Sequence, residues 1–203
     1  MPRKTKEKPI KFTYHYIEPK TPEEKAEAER RVSSAFDILF DHTHLQMAFD
    51  DALKEAQPLF KLDINGVHGI SHWRRVKEIG LHLASETGAD KHVVALFSAL
   101  HDIFRQDEYG DPEHGIRAAE FVKTFSPKGL LSVNNNQLKQ LEYACRYHSV
   151  RDARSNDLTI QTCWDADRLD LYRLGEVPDD KYLYGDKAKK RETRNFVLKL
   201  LDK

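Results

Sequence analysis

Ten histidines occur in this chain of 203 residues, and several sit where a helix should turn its apolar face inward. His72, Val76, Ile79 and Leu83 are separated by four, three and four residues, so His72 extends a core-facing stripe. His101 lies beside Leu100 in the stripe Val93, Phe97, Leu100, Phe104, and Leu141, Cys145, His148 repeats the pattern. Asp167 falls between Ile160 and Trp164 on one side and Leu171 and Leu174 on the other, all in helical phase. An unpaired carboxylate among apolar side chains costs several kcal/mol, so such groups are normally paired or bound to a metal. One buried histidine is usually a satisfied core residue. An aspartate and three histidines from four separate segments favour a metal or catalytic centre, of the kind bundles build from facing helices. The competing reading is a set of buried ion pairs, with Asp102 or Asp167 satisfied by Arg75, Arg105 or Arg146. A structural zinc fits less well, because closed zinc sites lean on cysteine clusters and the chain has only Cys145 and Cys163.

Helices must position these groups. Thr21-Pro22-Glu23-Glu24 reads as a helix start, with threonine as cap, proline in the first turn and Glu24 completing a capping box. The spacing predicts one helix to about Phe40 and a second from about Leu45 to Ala56, ended by Pro58. After a loop around Asp63 to Gly66, helices are expected at about 70–86, 90–104, 113–125, 135–148, 157–174 and 187–201, punctuated by Gly88, Gly110, Gly129 and Gly175. Ile10, Phe12, Tyr14 and Tyr16 alternate with polar residues, which suggests a short extended arm over residues 1–20 or, equally, a disordered tail. The expected architecture is all-α: a single-domain helical bundle over residues 21–203, with its chemistry between 66 and 175.

Composition narrows the function classes. With 33 basic and 33 acidic residues, the formal charge is zero, which gives no global attraction to nucleic acid or an anionic membrane. No apolar run approaches the roughly 20 residues that span a bilayer, and Met1-Pro2-Arg3-Lys4-Thr5-Lys6 lacks the apolar stretch of a secretory signal. Two cysteines in apolar stretches suit buried thiols in a reducing, cytoplasmic setting.

The segments His72-Trp73-Arg74-Arg75-Val76, Ala99-Leu100-His101-Asp102-Ile103 and Asp165-Ala166-Asp167-Arg168-Leu169-Asp170 resemble the HD superfamily of metal-dependent phosphohydrolases, whose signature is H…HD…D. The likeness runs from about His68 to Leu174. It implies that His72, His101, Asp102 and Asp167 ligate a divalent ion (Mn, Mg, Co, Ni, Fe or Zn). His68 competes with His72, but Gly66 and Gly69 put it in a loop or first turn. Asp165 competes with Asp167, but only Asp167 is in phase with Trp164 and Leu171. Binuclear members have two more histidines in this order. His114 and His148 fill those positions, as second-metal ligands or as contacts to a substrate phosphate, and Asp102 would then bridge two ions. Asp111 reads as the cap of the helix carrying His114, with Pro112 as its first residue.

The resemblance implies hydrolysis of a small phosphate ester such as a nucleotide, by metal-activated attack of water. Asp102 and Arg105 are the expected catalytic residues, and Arg75, His114 and His148 the expected substrate contacts. Lys187 and Lys190 could cap the pocket, and Asp107 or Glu108 could orient water. The expected walls are Trp73, Tyr109, Tyr147, Tyr172 and the stretch 177–186, with Pro178 to Tyr184 folding back over the site. The expected partner is a small phosphorylated molecule, and the arm leaves room for a homodimer. Two alternatives use the same ligands: a mixed-valence diiron oxygenase, and a non-catalytic, metal-bound regulatory domain.

Overall fold

Helix α1 (Pro22–Ala56) begins as the capping pattern predicts in this computed structural model, which describes residues 18–125 and 131–202. The Glu24 amide donates to Thr21 Oγ1 at 3.1 Å, and the Thr21 amide donates to the Glu24 carboxylate at 3.3 Å. The expected break between Phe40 and Leu45 does not occur. Asp41-His42-Thr43-His44 contains neither glycine nor proline, so nothing interrupts the hydrogen-bond ladder. Pro58 ends the helix in a 3-10 turn at Gln57–Leu59. The arm expected at 1–20 lies, apart from residues 18–20, outside the described residues.

The chain divides within α1 into two compact units, Met1–Asp41 and His42–Lys203. In the first, α1 is largely exposed; the buried stripe of α1, Leu45, Phe49, Ala52 and Ala56, belongs to the second. The second unit continues with α2 (Ile70–Thr87), α3 (Lys91–Leu100), α4 (His114–Phe125), α5 (Asn135–Tyr147), α6 (Leu158–Leu169), α7 (Asp186–Lys189) and α8 (Arg191–Leu201). No strand occurs among the described residues, and no helix among them is long and apolar enough to cross a membrane. The fold is the expected all-α one.

Side-chain caps start several helices. Asp90 accepts from the amides of His92 and Val93 at α3, Asp157 from Thr159 and Ile160 at α6, and Asn134 with Gln137 forms a full capping box at α5. Gly88, at φ 81°, closes α2 in the left-handed region that glycine reaches without strain. Three expected helices are shorter than the periodicity suggests. Residues 101–104 leave α3 in tight turns, and α6 gives way at Asp170 to a 3-10 turn ending at Gly175. The last helix splits at Lys190, which is extended; the Thr193 hydroxyl donates to the Lys187 carbonyl at 2.8 Å and closes α7 there.

Helix α2 packs on α3 and α6, and α4 packs on α5. Two glycines permit these close approaches. A Cβ on Gly80 would lie 2.5 Å from Val94 Cγ1, and one on Gly115 would lie 2.6 Å from the Cys145 carbonyl oxygen. The second contact is with backbone, which cannot rotate away. Gly115→Ala should therefore force α4 off α5 and destabilise the protein by roughly 1–3 kcal/mol, read as a lowered urea midpoint at unchanged m.

Candidate metal centre

Six side chains from the ends of five segments meet in the interior. His72 sits in the first turn of α2 and His114 opens α4; His101 and His148 cap the carboxyl ends of α3 and α5. Asp102 follows His101, and Asp167 lies in the last turn of α6. All four histidines and Asp102 are buried.

Each imidazole is fixed through Nδ1. His101 Nδ1 donates to the Phe97 carbonyl at 3.1 Å, His148 Nδ1 to the Cys145 carbonyl at 2.7 Å, and His114 Nδ1 to the Asp111 carbonyl. His72 Nδ1 donates to the Asp170 carboxylate at 2.7 Å. Carbonyl and carboxylate oxygens only accept, so the proton resides on Nδ1 and every Nε2 turns its lone pair inward. The Nε2 atoms of His72 and His101 are 3.1 Å apart, and those of His114 and His148 are 2.8 Å apart. Facing lone pairs at that range repel unless a proton or a cation lies between them.

Asp102 divides its carboxylate between the two pairs. Its Oδ2 is 3.6 Å from Nε2 of both His72 and His101, and its Oδ1 is 3.2 Å from His114 Nε2 and 3.4 Å from His148 Nε2. Asp167 Oδ1 completes the first group, 3.4 Å from His72 Nε2 and 3.6 Å from His101 Nε2. Ligands about 2.1 Å from one ion stand roughly 3.0–3.4 Å apart at right-angled or tetrahedral spacing, so these separations fit a shared cation with small adjustments. His72, His101 and Asp167 form one set of donor atoms within 4.8 Å of one another, and His101, Asp102 and His148 form another.

The electrostatics favour the same occupant. Burial pushes His101 down to about 3, which keeps it a neutral donor. Burial also works against charge on His72 and His148, but the carboxylates of Asp167 and Asp170, and of Asp102, outweigh it and raise both. Burial alone would raise Asp102 and Asp167; the surrounding histidines instead hold both below the usual carboxylate range. The centre is thus two carboxylates and four imidazoles, with one cation against it: Arg105 Nη1 is 3.2 Å from His114 Nε2 and 3.5 Å from Asp102 Oδ1.

A cavity of about 300 Å³ opens onto this centre. Asp102, Asp167 and His148 line it with Arg105 and His68, and among its other lining residues are Arg151, Arg168, Arg173, Asp179 and Tyr182. Of the stretch expected to fold back over the site, Pro178, Asp179, Tyr182 and Leu183 line this cavity.

Other expected residues lie elsewhere. Arg75 is not at the cavity: its Nε and Nη2 donate to Asp170 at 2.7 and 3.1 Å, because that buried carboxylate attracts it more closely than the open space does. Asp165, the rival of Asp167, accepts from the amides of Tyr184 and Gly185, and burial raises it to about 6. His68, the rival of His72, lines the cavity and pairs with Glu108. Asp107 caps its own loop through the amides of Tyr109 and Gly110, so it does not face the centre. Asp111 is not a side-chain cap; its carboxylate takes the Gln106 amide and Arg117. Arg146 pairs with Glu120, and Lys187 with Glu86. Trp73 is fully buried edge-on against Phe60, Tyr109 is 99% exposed, and Tyr172 lines a separate hollow with Arg75. Tyr147 does not line the cavity.

Asp170, which closes the Asp165–Asp170 motif, joins the site beyond the residues expected there. It is fully buried, orients His72, and is held by Arg75 and by Arg173 at 3.4 Å. Its signal was present: three residues after Asp167, it shares that residue's helical face.

No family model and no curated protein matches this sequence. Among solved structures, the chain is similar to a predicted HD superfamily hydrolase from an uncultured Thermotogales bacterium, determined by crystallography at 1.45 Å. Identity is 27%, the alignment covers 78% of this chain and 90% of that chain, and the TM-score is 0.56.

Proposed function

We propose that this chain, similar in structure to a predicted HD superfamily hydrolase, is a metal-dependent hydrolase that cleaves a small phosphate ester, a nucleotide or a related metabolite. The observation that carries this reading is the division of Asp102 between two histidine pairs at an arginine-lined cavity. His72, His101, Asp102 and Asp167 would hold one divalent ion, and His114 and His148, sharing Asp102, a second. Such ions, when bound, polarise a phosphoryl oxygen, lower the pKa of water and counter the charge of attacking and leaving oxygens.

The remaining work falls to the chain. Asp170 keeps the His72 proton on Nδ1 and so keeps Nε2 free to donate a lone pair. The Phe97, Cys145 and Asp111 carbonyls do the same for the other three rings. Arg105 lines the cavity and brings a guanidinium to the centre, where it can meet a phosphoryl oxygen. Pro178 and Leu183, both buried, close the wall and limit water around the ester.

Treatment with a chelator should stop hydrolysis of a generic ester such as p-nitrophenyl phosphate. Manganese, cobalt or magnesium should restore it, and the chelated protein should melt at a lower temperature, since the lost ion bound only the folded state. A panel of metabolite phosphates left intact by metal-loaded protein would overturn the phosphohydrolase reading. Bound iron with oxygen uptake on such protein would identify an oxygenase instead.

A further inference from the structure

Arg151 and Arg168 share one wall of the cavity, and Tyr182 holds both. The Arg151 guanidinium lies 4.5 Å from the centre of the Tyr182 ring, and Arg168 Nη1 donates to the Tyr182 carbonyl at 2.8 Å. Arg168 is further steadied 5.2 Å from the Tyr184 ring. Two acids lie near them: Asp179, which also lines the cavity, pairs with Lys181 at 2.7 Å and feels Arg151 only at longer range, and Asp165, near Arg168, accepts from two backbone amides. Among the described residues, neither guanidinium has a carboxylate within ion-pair distance. The other two arginines of the cavity are engaged, Arg105 at the centre and Arg173 at Asp170.

Two like charges gathered on one wall repel, and a planar guanidinium fork is shaped for oxyanions. A single scissile phosphate at the metal centre would leave this wall unused. We propose that Arg151 and Arg168, aligned by Tyr182, form a subsite for a second phosphate, so that the substrate is a small molecule phosphorylated twice. The assignment rests on the phosphate-ester reading above. The second phosphate belongs either to a diphosphate chain or to a separate hydroxyl of the same molecule, and a cavity of about 300 Å³ suits a ligand of nucleotide size at most.

The test compares kcat/KM of the metal-loaded protein for adenosine 5′-monophosphate, 5′-diphosphate and 3′,5′-bisphosphate. One doubly phosphorylated compound should exceed the monophosphate by roughly 10- to 100-fold, mainly through KM, as expected for charge-assisted hydrogen bonds. Which one wins distinguishes a chain from separated phosphates. Arg151→Ala, at an exposed position where folding should survive, is expected to bring that compound down to the monophosphate level, and Tyr182→Leu part of the way. Equal kcat/KM for all three in the parent protein, or a preference that survives Arg151→Ala, overturns the subsite. If no nucleotide is turned over, the phosphohydrolase reading falls separately, and calorimetric titration with adenosine 3′,5′-bisphosphate decides: binding weakened by Arg151→Ala supports the subsite, while no binding or unchanged binding overturns it.

Discussion

Asp102→Ala is expected to lower hydrolytic turnover by roughly a thousandfold or more, about 4 kcal/mol of barrier, while circular dichroism still reports a helical protein. The size follows from its position. One oxygen faces His72 and His101 and the other faces His114 and His148, so the substitution removes a donor from both groups at once. Metal analysis after dialysis should show fewer ions per chain than in the parent protein. Parental turnover and parental metal content in this variant would sink the assignment of the centre.

Asp170→Ala should destabilise the protein strongly. The carboxylate has no exposure to solvent and neutralises Arg75 and Arg173 while holding His72. Removing one partner from a buried ionic cluster leaves the others uncompensated, which costs roughly 3–5 kcal/mol. Urea denaturation of metal-free protein isolates that effect. On the folded fraction, metal affinity should also weaken by roughly 10- to 100-fold, because nothing then fixes the His72 ring. A double-mutant cycle with Arg75→Ala should show strong coupling, and additive losses would contradict the shared network.

Much of this was legible in the sequence because helical periodicity reports which face is buried. His72 in phase with Val76, and Asp167 in phase with Trp164 and Leu171, point inward for the reason that the apolar residues around them do. Periodicity says less about where a regular helix ends. The segments after Leu100 and Leu169 keep their apolar phase yet leave α-geometry, and α1 runs unbroken through residues 41–44 for want of a breaker. Long side chains are less legible still. Arg75 lies one turn after His72, but a flexible stem let it reach Asp170 rather than the cavity. Arg151 gave no periodic signal, since it follows α5 in a loop, and its role depends on Tyr182 arriving from a distant turn.

With His72 and His148 both raised above the ordinary imidazole value, metal-free protein retains protons on those two rings to higher pH than free histidines would. Uptake of a cation must then expel them, so loading should acidify a weakly buffered solution, and occupancy should fall as the medium becomes more acidic. The heat of loading measured in buffers of different ionisation enthalpy would count the protons released.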